Sequence, residues 1–315
     1  MMDGERAGSH GSSSEIREES WLWGLLACPM CGAELDVSEK GALCKGCSEA
    51  YPRTHEGRLD LRLRGAKRVQ VDLEVGIQFW NKEQTPFVRL SNATVPRSPW
   101  KGLRAPKHMS PEMLAHLPRG APDSLALDLG CGEGTSRELF QELGFRWVGV
   151  DISPSSKATV LADAHALPFA AESFDFVLSM AVLEHLTHPV VAMKEVYRML
   201  KANGSVMGTV AFLEPFHSNS HYHHTHLGLL ACLRSAGLRI EWVSPQPDWQ
   251  ALAALSGCLF PRAPRWLSMA FMGVPSVLHR IWWGIGKVLS RNGKRLEEKR
   301  LFALAGAFAF KALKD

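Results

Sequence analysis

The spacing of apolar positions changes along the chain, and the changes mark out its elements. Leu125 to Leu129 and Phe145 to Val150 run apolar almost without a break, the pattern of strands covered on both faces of a parallel sheet. Ser173 to Ser179 reads as a further buried strand. From Pro189 to Leu200 the period becomes helical, with Val190, Met193, Val196, Tyr197 and Leu200 on one face. Lys201-Ala202-Asn203-Gly204 stops that helix, with Gly204 expected in the left-handed position, and Ser205 to Ala211 predicts the fifth strand. Leu227 to Ala236 predicts a helix closed by Gly237, and Leu238 to Val243 a sixth strand. Strands alternating with helices in this way predict a doubly wound α/β sheet.

The flanks are patterned differently. Residues 1–20 lack an apolar core and read as a disordered tail without a signal peptide. Residues 21–64 open with an entering strand, Trp21 to Leu26, and close with an alternating one, Arg58 to Arg64. Residues 65–120 are a linker or helical cap in which Ser110-Pro111-Glu112 opens a turn before Met113, Leu114 and Leu117. Ala251 to Leu289 is apolar and rich in tryptophan, yet Pro261, Pro264, Pro275, Arg262, Arg265, Arg280 and Lys287 leave no uncharged run of about 20 residues. No transmembrane span is expected. The segment suits a lid or dimer helix packed on the sheet, while Trp266, Trp282 and Trp283 with flanking arginines also suit a helix in a lipid interface, so peripheral membrane contact through 250–300 stays open.

Composition narrows the class. The 315 residues have room for about two domains, and 22% charged residues with a net charge of +4 describe an ordinary soluble protein, expected to be cytoplasmic. That balance is too weak to argue for nucleic acid by charge alone. Four of the seven cysteines, Cys28, Cys31, Cys44 and Cys47, form two C-x-x-C pairs with twelve residues between them. Two such knuckles close a tetrahedron of thiolates around Zn2+, so residues 21–64 are expected to be a structural zinc ribbon. Two disulfides are the competing reading, disfavoured because nothing marks the chain as secreted. Cys131, Cys232 and Cys258 lie in apolar settings and are expected to be buried.

The strand Leu125 to Leu129 contains Asp128 and runs into Gly130-Cys131-Gly132-Glu133-Gly134, where glycines let the backbone come close to a ligand. The next strand ends in Asp151, an acid about 20 residues on, as in ribose-binding doubly wound folds. The glycine spacing alone fits a dinucleotide site equally well. Its continuation through Asp163-Ala164, Leu167-Pro168-Phe169 and Leu183-Glu184-His185-Leu186 resembles the class I S-adenosylmethionine-dependent methyltransferases, specifically the subgroup typified by the ubiquinone and menaquinone biosynthesis methyltransferases.

The resemblance covers roughly residues 120–245 and implies a Rossmann-like, seven-stranded sheet whose last, antiparallel strand falls in Leu301 to Leu313. The methyltransferase domain would then be 121–315, with 250–300 inserted before the last strand and the 65–120 segment, including Ile77 to Asn81, covering the active site. It further implies that Asp128, Gly130, Cys131 and Gly132 meet the methionine side of S-adenosylmethionine and that Asp151 and Ile152 meet the ribose. Asp163 and Ala164 would meet the adenine, and Ser179 would lie at the strand end beside them. The competing reading is that Asp151 and Asp163 only cap helices.

Methyl transfer from a sulfonium needs alignment and exclusion of water, and a base only if the acceptor must lose a proton. Candidates for that role are His185 and the loop bearing His217, His221 and His223, which also holds His224 and His226 and, with Glu214, could bind a metal. A small-molecule or lipid-like acceptor is favoured. The alternative is ribosomal RNA guanine methylation, suggested by the zinc ribbon and the basic run Arg53, Arg58, Arg62, Arg64, Lys67 and Arg68. Against it stand the missing Asn/Asp-Pro-Pro-aromatic motif after the fourth strand and the lack of clustered aromatics in the ribbon. A non-catalytic, partner-binding role is a third reading, opposed by the intact acid and glycine set. Oligomeric state is not legible.

Overall fold

The computed structural model describes residues 20–73, 87–90, 93–94, 105–106, 108–213, 219–247, 250–260, 262–290 and 293–315. The expected tail up to residue 19, the Ile77 to Asn81 run, Glu214, His217 and Pro261 lie outside the described residues.

The chain begins with a helical turn, α1 (Ser20–Trp23), where an entering strand was expected. The spacing of Leu22 and Leu26, both buried, is that of one helix face, and pairing is limited to bridges from Leu26 to Phe169 and from Ala27 to Glu34. A three-stranded antiparallel sheet follows, made of β1 (Leu35–Ser38), β2 (Gly41–Cys44) and β3 (Ala50–Pro52). The expected closing strand is only β4 (Leu59–Asp60), and it does not close this small sheet. It pairs in parallel with β7 (Val160–Leu161) instead, in register Leu59 with Val160.

The large sheet continues through β5 (Leu125–Leu129), α2 (Arg137–Glu142), β6 (Arg146–Asp151), β7 and β8 (Phe174–Met180). Next come α3 (Pro189–Met199), β9 (Leu200–Ala211), α4 (His226–Ser235) and β10 (Arg239–Pro245). Four helices, α5 (Ala251–Leu259), α6 (Arg265–Phe271), α7 (Gly273–Leu289) and α8 (Gly293–Ala303), precede β11 (Ala307–Leu313). Leu301 to Ala303, expected in the last strand, belong to α8. The strand order is β10-β11-β9-β8-β5-β6-β7-β4, eight strands where seven were expected, the extra one being β4. Only β11 is antiparallel to its neighbours in this sheet.

Alternation along β5 divides two cores. Leu125, Leu127 and Leu129 face one layer with Met193 and Val196 of α3, while Ala126 faces the other with Phe140, Phe145 and Phe176. Each large buried side chain contributes about 1.5–3 kcal/mol relative to exposure. The first core also contains Leu22, Leu35, Tyr51, Leu59 and Leu61, so the cysteine-bearing sheet and the large sheet share one apolar cluster. At the far edge, Val88 donates its N–H to the Val243 carbonyl at 3.1 Å, laying residues 87–90 along β10.

Two local expectations change. Asn203, not Gly204, takes the left-handed conformation (φ 61°), because β9 starts directly at Leu200 and the reversal falls inside it. The described part of 65–120 holds only short 3₁₀ structure, at Leu90 and at Met113–His116, instead of full helices.

Candidate functional site

The switch point of the sheet lies between β5 and β8, where Leu129 pairs with Ser179 and the order of connections reverses. The chain leaves β5 through Gly130 (φ 71°), Gly132 (φ 50°) and Gly134 (φ 67°), three left-handed positions that favour glycine. Gly130 and Cys131 both donate their N–H groups to the Val150 carbonyl, at 2.8 and 3.1 Å, which folds the loop over the end of β6. A Cβ at Gly130 would lie 2.5 Å from Val182 Cγ2, so this glycine makes room for the protein. At Gly132 a Cβ would meet nothing within 4 Å. That side of the loop is open.

Asp151 ends β6 and divides its carboxylate: Oδ2 accepts the Gly132 N–H at 2.9 Å and Oδ1 the Ser153 N–H at 2.8 Å. Ile152 beside it is exposed, and its carbonyl accepts from Arg62. Asp128 lies beneath the loop, 4% exposed, accepting from Ser136 Oγ and, at 3.2 Å, from Trp147 Nε1. Burial pushes its carboxyl from the ordinary 3.8 up to about 6; these two donors oppose the rise and nearby Asp151 adds to it. Cys131 is buried as expected, and burial raises its thiol.

One strand further on, Ala162 donates to the Asp151 carbonyl at 3.0 Å, which sets Asp163 just past the end of β7. Asp163 Oδ1 accepts from the backbone N–H of His165 at 2.9 Å and from its Nδ1 at 2.6 Å. The His165 side chain holds this carboxyl below its ordinary value. Nε2 of the same ring accepts the His188 N–H at 3.1 Å, so Nδ1 carries the proton given to Asp163. Ala164 and Leu167 are buried nearby in the first core. Ser179 is fully buried and its Oγ has no hydrogen-bond partner among the described residues.

The histidine loop is tied to the turn at Leu183–His185. The Glu184 carbonyl accepts from the N–H groups of His221 and Tyr222, and its Oε1 from that of Ala211. His221 and His223 are exposed and His185 is half-buried, while His224 is buried under the loop. Burial pulls the His224 imidazole below its ordinary value, against a hydrogen bond to the Leu183 backbone. Among the described residues these histidines form no three-ligand metal group. Sequence reasoning missed His165, Ser136 and Trp147, whose partners lie 2, 8 and 19 residues away with no motif to connect them.

The ligating atoms of Cys28, Cys31, Cys44 and Cys47 all lie within 4.8 Å of one another, with Cys28 to Cys47 at 3.7 Å and Cys31 to Cys44 at 3.4 Å. Four sulfurs on a zinc tetrahedron stand about 3.8 Å apart, so the set fits that ion. Backbone N–H groups of Gly46 and Cys47 point at Cys44 Sγ, and Tyr51 Oη lies 3.3 Å from Cys28 Sγ. Cys258, expected to be buried, is exposed on α5.

Five of the six residues of the basic run beside this cluster bond within the chain, and Arg68 is exposed. Arg53 donates to the carbonyls of Ser38 and Gly57, Arg58 to those of Ser156 and Pro154, Arg62 and Arg64 pair with Asp60, and Lys67 donates to the Pro29 carbonyl. Beyond β10, cavities of about 190 and 340 Å³ lie between that strand and the inserted helices; Arg89 and Gln246 line the first, His279 and Arg280 the second, and Gln250 and Arg300 both. Among the described residues no helix is long and apolar enough to cross a membrane.

A family profile described as a methyltransferase domain matches residues 127–208, from β5 through most of β9. The fold is that of a class I S-adenosylmethionine-dependent methyltransferase. An uncharacterized methyltransferase of Mycobacterium leprae (strain Br4923) is 28% identical over 47% of this chain and 66% of its own length. The 2-methyl-6-phytyl-1,4-hydroquinone methyltransferase of Synechocystis is 37% identical over 26% of this chain and 30% of its own. The 18S rRNA (guanine-N(7))-methyltransferase of Mus musculus is 37% identical over 22% and 28%. The chain thus spans just under two thirds of the first of these relatives and less than a third of the other two.

Proposed function

We propose that this chain transfers a methyl group from S-adenosylmethionine to a small-molecule or lipid-like acceptor. The observation that carries the reading is Gly132, a left-handed residue at the switch point with open space where a side chain would be and its N–H held by Asp151. A cofactor carboxylate and sulfonium chain can lie against that backbone, whereas Val182 closes off Gly130. Asp151 keeps lone pairs for ribose hydroxyls after serving two N–H groups, and Ile152 packs beside it. Asp163, held ionised by His165, accepts from the adenine amine, with Ala164 and Leu167 on the ring. Asp128 and Cys131 shape the loop from beneath, and the buried Ser179 Oγ offers a donor at the strand end.

Bound there, S-adenosylmethionine supplies an activated methyl on a positively charged sulfur. The chain's own task is to align the acceptor and exclude water. His185, His217, His221 and His223 follow strands that end at this side of the sheet, and any of them can orient a hydroxyl or take its proton. The structural role proposed for the four cysteines is to hold Zn2+.

Two observations weigh the acceptor classes. The hydroquinone relative favours an apolar small molecule. The rRNA relative favours RNA, but five of the six basic residues that supported RNA are engaged within the chain, all but Arg68. Calorimetric titration with S-adenosylmethionine and S-adenosylhomocysteine tests the cofactor site, and labelled methyl transfer into lipid, small-molecule and RNA fractions tests the acceptor. Absence of binding by either compound overturns the reading, and label appearing in RNA alone replaces the acceptor.

A further inference from the structure

The helices inserted between β10 and β11 are turned inside out. Along α7 the exposed residues Val274, Val277, Leu278, Ile281, Ile285 and Val288 recur at three- and four-residue spacing and form one apolar stripe. Trp282 is 74% exposed, Val288 85% and Leu289 79%, and Trp266 on α6 stands out to 73%. The half-buried positions of α7 are instead Ser276, His279, Trp283 and Gly286. The helix therefore packs on the protein through one aromatic, Trp283, and otherwise small and polar residues, and turns its aliphatic face outward. A monomer in water would have the two faces exchanged, and an apolar patch of this extent marks a contact surface.

Charge decides what covers it. Residues 262–300 carry nine lysines and arginines against Glu297 and Glu298, a net charge of +7 where the whole chain carries +4, so the rest of the chain is net acidic. A second copy seated on this face would bring two such segments together and repel. An anionic lipid surface attracts the segment, at about 1 kcal/mol for each basic residue near the headgroups. Arg280 and Lys287 lie seven residues apart on α7, outside the apolar stripe, where their charges can stay at headgroup level. With 17 residues the helix is about 25 Å long, too short to span and interrupted by Arg280, so it fits lying in the plane of the interface.

We propose that α6 and α7 seat this chain on an anionic lipid bilayer, with the α7 stripe in the acyl boundary and tryptophans at headgroup depth. The insertion leaves the sheet at the end of β10 and returns at the start of β11, the same end at which β5 and β6 finish. The glycine loop and the membrane-facing helices therefore share one end of the sheet. Seating on lipid requires neither methyl transfer nor a bound cofactor.

The test is co-sedimentation of the full chain with vesicles of phosphatidylcholine alone and of phosphatidylcholine with phosphatidylglycerol, at low and high salt. The protein should pellet with the anionic vesicles and lose binding in high salt. Trp282→Ser/Val288→Ser, which keeps the charge, and Arg280→Gln/Lys287→Gln, which keeps the apolar face, should each lower partitioning about tenfold or more with an unchanged melting temperature. Failure to pellet with either vesicle overturns the proposal. So does a wild-type dimer that the Trp282→Ser/Val288→Ser variant makes monomeric without any vesicle binding, or retention of single-stranded RNA in place of vesicles.

Discussion

Arg58 donates from Nη1 to the Ser156 carbonyl at 2.7 Å, joining the chain just before β4 to the loop that follows β6. The same guanidinium reaches the Pro154 carbonyl, so the cysteine-bearing segment braces the stretch directly after Asp151, the acid proposed to meet ribose. With Leu59 and Leu61 in the same apolar cluster as Leu127 and Val150, the four-cysteine cluster and the glycine loop are mechanically coupled. Chelating the metal should therefore lower the melting temperature of the whole chain in one calorimetric transition. Two separable transitions, with the sheet unaffected, would contradict this. Metal analysis should find about one zinc per chain, lost in a Cys28→Ser/Cys31→Ser variant.

The two glycines of the loop should respond oppositely. Gly132→Ala places its methyl in open space, and beyond the cost of a left-handed alanine, about 1–2 kcal/mol, its effect should fall on S-adenosylmethionine affinity. Gly130→Ala drives into Val182, and a Val182→Ala partner change should recover part of the lost stability. Equal behaviour of the two variants in denaturation and in cofactor titration would show that the loop is misread.

Asp151→Ala removes the acceptor of the Gly132 and Ser153 N–H groups as well as the proposed ribose acceptor. Cofactor affinity should fall by about 1.5–3 kcal/mol, the range for hydrogen bonds to charged groups. Unchanged calorimetric affinity would remove Asp151 from the site.

Asp128 predicts a pH dependence. Its carboxyl is raised in the folded chain, so the folded state binds more protons than the unfolded one between about pH 4 and pH 6. Its contribution is fully present below the unfolded value and is lost as pH rises through about 6. Asp128→Asn keeps an acceptor for Trp147 and cannot ionise, so its stability relative to wild type should rise across that window, by an amount on the order of 3 kcal/mol. Parallel denaturation curves from pH 4 to 7 would refute the assignment.

For the histidine loop, His221→Ala and His223→Ala should leave cofactor affinity and melting temperature nearly unchanged. If one of them orients or deprotonates the acceptor, turnover should fall about 100-fold. His224→Ala should instead lower stability, because the ring is buried against Leu183. Normal turnover in all three would return attention to His185.

Much of this was legible in the sequence because its cause is local. The uninterrupted apolar runs of β5 and β6, the period of α3 and the left-handed Gly237 depend on near neighbours, and all appear where the pattern predicted them. What escaped depends on partners far along the chain. Leu59 and Leu61 announced a strand, but nothing in their alternation said that it would lie beside Val160 and not close the small sheet. Gly130 and Gly132 look alike in sequence and are separated only by Val182, some fifty residues on. The apolar, tryptophan-rich run that became α7 left open whether its apolar face would be covered by the protein or turned outward.

The two-residue strand β4 also guards the sheet. It occupies the outer side of β7, which otherwise presents the unpaired N–H and carbonyl groups of a bare edge, flanked by apolar residues such as Phe169 that Leu26 now bridges. A chain shortened to begin after residue 64 would keep the glycine loop and every strand of the cofactor fold. It would also bare the apolar cluster it shared with that segment and acquire an adhesive margin, and the expected failure of such a fragment is lowered stability followed by strand-to-strand aggregation.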